Sequence, residues 1–297
     1  MIVMDTPWSC ARKARELKAA GVDAIIRYYN HRNSRQLPEK RLSRSEAEAI
    51  AAAGIRLGVV FQQRQNKLRD FTFDKGRAAG KRAFDLAAGD ILQPFGSAIY
   101  FGVDWDFFRN SELKRVAEFF DGVRAGLQAE SAVGPSYRVG AYGSGTVLTH
   151  LGSKGLAELF WLAQSTGWSG YKAFRKSNRW HLLQGPVTSI EGIPCDTNRV
   201  NPDHPDYGAF DLGVAGEGGG VYMVIARSGL NLRQGPGVEF PVIQVLPYGS
   251  LVKVLRHDGD WVQVDLQADG RADGHVHASF LQHREGLTDA ALHCFTS

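Results

Sequence analysis

Cysteine is scarce in this chain. Cys10, Cys195 and Cys294 are the three in 297 residues, far apart and with no Cys-x-x-Cys pair among them. An odd, scattered set of thiols does not make a disulfide framework, and the three read as buried free thiols. Long apolar runs are also missing, and none approaches the roughly 20 residues that cross a bilayer. The N-terminus, Met-Ile-Val-Met-Asp, has no basic region followed by an apolar stretch, so no signal peptide is expected. No Lys/Arg block accompanies the net charge of +4, which argues against nucleic acid as a partner. No cofactor and no resident metal is expected. What remains is ordinary for a soluble globular protein, 43% apolar and 22% charged, and the length suits two domains or one barrel with an appendage.

Short apolar runs recur along the first two thirds. They are Ile2–Met4, Ala24–Tyr29, Leu57–Phe61, Ala98–Val103, Tyr137–Tyr142, Leu159–Ala163, Trp180–Leu183 and a short piece at Pro194–Asp196. Helix signals lie between the earlier ones. Thr6-Pro7 suits an N-cap and first turn before Ala11–Ala20, closed by Gly21. Ser43 with Glu46 is a capping-box pattern ahead of an alanine-rich run ending at Gly54. Asp74–Ala88 and Ser111–Leu127 have amphipathic spacing. Strands alternating with helices imply a parallel sheet, and eight units imply a closed (β/α)8 TIM-like barrel, with short last units. A doubly wound open sheet is the alternative.

The pattern changes after Leu212. Residues 213–220 hold five glycines and read as a linker. From Val221 the segments are short and alternating, separated by turns such as Gln234-Gly235-Pro236-Gly237 and Asp258-Gly259-Asp260, which predicts a small all-β domain. The expected division is a barrel over 1–212, a linker over 213–220, a β domain over 221–284 and a tail over 285–297. Leu230–Gly237, Val242–Gly249, Asp258–Val264 and Gly274–His277 together resemble a bacterial SH3 domain of the SH3b type. That resemblance implies binding to cell-wall peptidoglycan, with Tyr248 and Trp261 as its aromatic contacts, although Trp261 also suits a barrel core. His275 and His277 share a strand face, a weak metal signal.

The octapeptide Tyr100–Phe107 carries the chemistry. An apolar strand ends in two carboxylates, Asp104 and Asp106, and residues two apart on a strand face the same way. Asp5 follows the first strand, and Asp196 ends the eighth. First and eighth strands are neighbours in a closed barrel, so all four acids are expected at one rim, where such barrels place their active sites. Tyr28, Tyr29, Gln62, Tyr142, Trp161, Gln164, Gln184 and Asn198 stand at or near other strand ends. Aromatic faces for sugar rings, with amides and acids for hydroxyls, suit a carbohydrate. Bland readings compete: Asp5 as part of a helix cap, Asp196 as an Asx-turn acid, Asp104 with Asp106 as a cation site.

Asp5, Tyr28-Tyr29-Asn30, Tyr100–Asp106, Val139–Ser144, Trp161–Gln164 and Asp196-Thr197-Asn198 resemble the Rv2525c-like glycoside-hydrolase-like barrels, relatives of the family 25 lysozymes. The resemblance implies cleavage of cell-wall glycan by carboxylates. Asp106 would stand at the general-acid position, where the lysozymes carry Glu, and Asp5, Asp104 and Asp196 would orient substrate and stabilise charge. One carboxyl must hold a proton while another stays ionised. The expectation is therefore a lysozyme-like glycoside hydrolase with a wall-binding module, monomeric, acting at the bacterial cell wall after non-classical export as an effector or endolysin. An immunity or secretion-system protein is a further expected partner. The alternatives are a glycan-binding protein without turnover and a metal-dependent hydrolase using the same acids.

Overall fold

Alternation along each N-terminal strand decides which side chains fill a barrel and which meet its helices. The computed structural model describes residues 1–94, 96–129, 137–212 and 220–284. Eight strands close into a barrel in chain order: β1 (Ile2–Asp5), β2 (Val22–Tyr29), β3 (Arg56–Phe61), β4 (Ala98–Gly102), β5 (Arg138–Gly143), β6 (Leu159–Leu162), β7 (Leu182–Ile190) and β8 (Ile193–Val200). Closure sets the doubly wound alternative aside. Val3, Ala24 and Ile26, Val60, Ala98 and Tyr100, Leu159 and Trp161 fill the interior, two residues apart wherever a strand supplies two. The Tyr100 ring fits there because Gly140 opposite it has no side chain; a Cβ at Gly140 would lie 2.5 Å from that ring.

β1 to β7 run parallel, but β8 is antiparallel to both β7 and β1. An all-parallel barrel was expected, with Asp196 ending its last strand. Instead β7 and β8 form a hairpin over the two residues Glu191-Gly192, both with positive φ (49° and 80°), the geometry of a type I′ turn. Asp196 therefore lies inside β8, directly opposite Asp5 on β1.

The helices are α1 (Ala14–Ala19), α2 (Arg44–Ala52), α3 (Phe73–Phe84), α4 (Asn110–Ala129), α5 (Gly145–Ser153) and α6 (Tyr171–Lys176). Thr6 does not cap α1. Its hydroxyl donates to the Pro194 carbonyl at 2.7 Å, tying β1 to β8, and the helical turns begin only at Ala11. Ser43 does cap α2, accepting from the Glu46 N–H at 3.2 Å. The Glu46 carboxylate goes elsewhere, to Arg27. After α3 the chain continues as a π-helical turn over Asp85–Ile91 rather than ending at Ala88. Gly76 and Gly80 on α3 meet Gly122 and Gly126 on α4, and a Cβ at any of the four would strike the facing backbone.

The chain divides into two compact units, one of Met1–Phe84 with Ser97–Asp211, the other of Asp85–Gly96 with the residues from Leu212 onward. That the segment 85–96 groups with the second unit has no signal in the sequence. The second unit holds a seven-stranded antiparallel sheet in the order β11-β10-β14-β13-β12-β9-β15. Its strands are β9 (Val221–Val224), β10 (Leu230–Arg233), β11 (Val242–Leu246), β12 (Leu251–Asp258), β13 (Trp261–Asp265), β14 (Gly274–His277) and β15 (Leu281–His283). Alternate residues build its core, Val252 with Val254 and Val262 with Val264. The glycine-rich stretch 213–219, the tail 285–297 and Cys294 lie outside the described residues. Cys10 and Cys195 are buried free thiols.

Candidate active site

The inward register that fills the barrel continues upward into polar residues. After Val3 comes Asp5; after Ala24 and Ile26, Tyr28; after Val60, Gln62; after Tyr100 and Gly102, Asp104. Tyr142, Trp161 and Gln184 continue β5, β6 and β7 in the same way. Tyr28, Gln62, Asp104, Tyr142, Trp161, Gln164, Gln184 and Asp196 line one cavity of about 290 Å³ at the barrel mouth, together with Val60, Ser165 and Trp168.

Three hydrogen-bonded chains fix the acids. Trp161 Nε1 can only donate, and it donates to Asn198 Oδ1 at 2.8 Å. Asn198 must then turn its amide nitrogen away, and it donates to Asp5 Oδ2 at 2.8 Å. In the second chain Tyr142 donates to Gln184 Oε1 at 2.8 Å, and Gln184 Nε2 donates to Asp196 Oδ2 at 3.1 Å. Asp196 Oδ1 is buried with no protein hydrogen-bond partner. Across the cavity Lys40 donates to Gln62 Oε1 at 3.4 Å, and Gln62 Nε2 donates to Asp104 Oδ2 at 3.2 Å. The Lys40 ammonium sits 4.5 Å above the Tyr28 ring, a cation–π contact.

Electrostatics separate these acids. Asp5 is 2% exposed. Burial pushes its carboxyl up to about 7, the Asn198 amide opposes this, and the neighbouring Asp196 charge adds to it. Burial also raises Asp196, with the Gln164 amide pulling it partway back. Asp196 stands opposite Asp5 on the adjacent strand, so its negative charge reinforces what burial does and favours the protonated form of Asp5. Asp104 is raised by burial too, but the Gln62 amide and the Lys40 charge favour its ionised form. Burial lowers Lys40 to about 8, against the pull of Asp104.

Several sequence expectations land elsewhere. Tyr29 is adjacent to Tyr28, so strand alternation turns it to the outer face; it is fully buried there and does not line the cavity. Asn198 does not line the cavity either, but holds Asp5 from behind. Asp104 and Asp106 do not project together. β4 stops at Gly102, so strand alternation no longer governs residue 106. Asp106 instead accepts the Ser169 N–H on Oδ1 and Oδ2 at 2.9 and 3.0 Å, and the Ser169 hydroxyl on Oδ2 at 3.0 Å. Lys40, Ser165 and Trp168 were not foreseen; they stand on loops, where no periodicity marks them. Among the described residues no group of three or more His, Cys, Asp and Glu side chains is arranged to hold a metal ion.

In the second unit Trp261 is half-buried and outside the apolar core cluster. With Asn231, Arg233, Val238, His277 and Phe280 it lines a cavity of about 270 Å³. Tyr248 is exposed and does not line that cavity. His275, by contrast, is fully buried, which separates it from His277.

Comparison with known proteins follows this division. Residues 15–201 match the family described as Rv2525c-like, glycoside hydrolase-like domain, and residues 228–282 match the bacterial SH3 domain. Two proteins of Bacillus subtilis (strain 168), the uncharacterized proteins YbfG and FadG, are each 27% identical to the chain, over 213 and 173 residues. Those matches cover 69% and 58% of this chain but only 28% and 29% of YbfG and FadG, so the chain spans less than a third of either relative's length. Among solved structures, the Mycobacterium tuberculosis Tat-secreted protein Rv2525c, crystallised with L-tartrate, superposes with a TM-score of 0.58 at 20% identity, over 70% of this chain and 98% of that one. An uncharacterized B. stearothermophilus protein superposes at 0.50 and 15% identity, over 71% and 100%. At these identities the likeness is one of fold.

Proposed function

The chain belongs to the Rv2525c-like, glycoside hydrolase-like family and carries a bacterial SH3 domain, and from that premise we propose that it hydrolyses a glycan of the bacterial cell wall, peptidoglycan in the first instance. The observation that carries the proposal is the pair of carboxyls on one cavity: Asp196, with the buried Asp5 opposite it on the next strand, and Asp104, charge-supported by an amide and a lysine. In this reading Asp196 lines the cavity and delivers the proton to the leaving glycosidic oxygen, with Asp5 beneath it as the partner that keeps the pair protonated near neutral pH. Asp104, supported by Gln62 and Lys40, stays ionised and stabilises the oxocarbenium-like transition state or attacks it as the nucleophile. Tyr28, Tyr142 and Trp168 offer ring faces to the sugar, and Gln164 and Gln184 offer amides to its hydroxyl and acetamido groups.

The SH3 unit supports the choice of polymer, with Trp261 and Tyr248 as its contacts to the wall. The Tat-secreted Rv2525c supports a site of action outside the cytoplasm for this chain as well. The test is digestion of purified peptidoglycan. New reducing ends are expected, and Asp104→Asn and Asp196→Asn should each lower their rate by at least about 100-fold, the usual scale for losing an acid or base. A second reading, binding without turnover, draws on the engagement of Asp106 by Ser169. Co-sedimentation with the wall and no product on prolonged incubation would favour it.

A further inference from the structure

The geometry points to Asp106 as a positioning residue: its carboxylate clamps the loop between β6 and α6, so that Trp168 stands fixed as one wall of the glycan cavity. A general acid must present an O–H to the glycosidic oxygen. Both Asp106 oxygens instead accept hydrogen bonds from Ser169, from its backbone N–H and from its hydroxyl. Asp106 does not line the cavity, whereas Trp168, one residue before the clamped serine, does.

The clamped loop is held at a second point. The Ser169 carbonyl accepts from the Thr146 N–H at 3.0 Å, at the start of α5. Gly170 follows with φ of 74°, and a Cβ there would lie 2.6 Å from the Thr146 nitrogen, so the chain passes close against α5. Trp168 itself is folded into consecutive turns: its N–H donates to the Ser165 carbonyl at 2.9 Å, and its own carbonyl accepts from the Tyr171 N–H at 3.2 Å. Asp106 thus ties the β4–α4 loop to the β6–α6 loop, and the two clamps together fix the backbone on which the Trp168 ring is mounted. Hydrogen bonds to a carboxylate are the stronger kind, and this one accepts three. The octapeptide then divides by function: Asp104 turns into the cavity and Asp106 holds its wall.

The proposal rests on the glycan-hydrolase reading for its consequence, but the clamp itself is testable without turnover. In the full chain, backbone amide exchange over 165–170 is compared for the wild type, Asp106→Ala and Asp106→Asn, each checked for an unchanged unfolding midpoint. Asp106→Ala should speed exchange at Ser169 by 10-fold or more, and Asp106→Asn, which keeps one acceptor oxygen, should speed it less. Unchanged exchange in Asp106→Ala overturns the clamp. On purified peptidoglycan, Asp106→Ala and Trp168→Ala should both raise KM by a similar factor, with kcat and the shape of the pH profile kept, and Asp106→Asn should stay near the wild type. If Asp106→Asn and Asp106→Ala instead abolish kcat alike at unchanged KM, and the acidic-group limb of the pH profile disappears, Asp106 is the general acid and the proposal is wrong. A wild-type chain that releases no product sinks the hydrolase reading, and the exchange comparison then decides the clamp alone.

Discussion

Asp5 makes stability depend on pH between the acid and neutral ranges. Its ordinary value of 3.8 is pushed up to about 7 in the fold, chiefly by burial. Between those pH values the folded state keeps a proton that the unfolded chain has released. Stability therefore falls as pH rises from about 4 to 7, by on the order of 4 kcal/mol for a fully buried shift of this size. Asp5→Asn has no such titration. Measured by urea unfolding at pH 4 and pH 8, the wild type should lose stability relative to Asp5→Asn at the higher pH; parallel losses would contradict the raised Asp5 carboxyl. At this scale the sequence was informative wherever strand alternation held. Asp5, Tyr28, Gln62 and Tyr142 fall on the inward register and could be read from it. Tyr29, one residue out of phase, and Asp106, past the strand end, show where alternation stops deciding direction. Lys40 and Trp168 owe their positions to loop contacts, which leave no period in the sequence.

Among the elements, the loops behind β1 and β2 are held by one buried ion pair. Arg27 faces outward from β2 and donates through Nε to Glu46 Oε1 at 2.7 Å and through Nη2 to Oε2 at 3.1 Å. Its remaining N–H groups donate to the carbonyls of Thr6, Glu39 and Lys40, and Glu46 Oε1 also accepts from the Cys10 N–H at 2.8 Å. The segment that brings Lys40 against Gln62 and Tyr28 is thus fastened through Arg27. Glu46→Ala leaves the guanidinium buried without its counter-charge and should cost about 3–5 kcal/mol in chemical denaturation. The Ser43/Glu46 capping-box pattern explains why this outcome is hard to read from sequence: the serine half forms, while the glutamate half is taken by a partner 19 residues earlier. The β7–β8 hairpin is a similar case. A strand–helix rhythm predicts another parallel unit, and only Glu191-Gly192 signals the reversal. Asn is the favoured residue before Gly in a type I′ turn, so Glu191→Asn should stabilise the chain by up to about 1 kcal/mol in the same experiment.

Across the whole molecule the division of labour is between a barrel with an acid-lined cavity and a β unit with an aromatic one. Holding an enzyme at an insoluble polymer raises the local concentration of bonds to cut without any change at the cutting site. In the full chain, Trp261→Ala combined with Tyr248→Ala should weaken co-sedimentation with insoluble peptidoglycan and slow its digestion, while hydrolysis of soluble glycan fragments stays unchanged. Equal losses on both substrates would contradict a separate wall-binding role. The two-part architecture was legible from the change of pattern after Leu212. The recruitment of Asp85–Gly96 into the second unit was not, because that segment reads as a continuation of its helix.

We propose above all that Asp104 and Asp196 at the barrel mouth cut a cell-wall glycan, with Asp104 ionised and Asp196, backed by the buried Asp5, supplying the proton. It is tested most directly by counting new reducing ends, and identifying the products by mass, after purified peptidoglycan is incubated with the wild type and with Asp104→Asn. The wild type should release saccharides with new reducing ends steadily, and a fully folded Asp104→Asn at least about 100-fold more slowly. Fragments from the wild type that carry no new reducing ends, or an undiminished rate in Asp104→Asn, would contradict it.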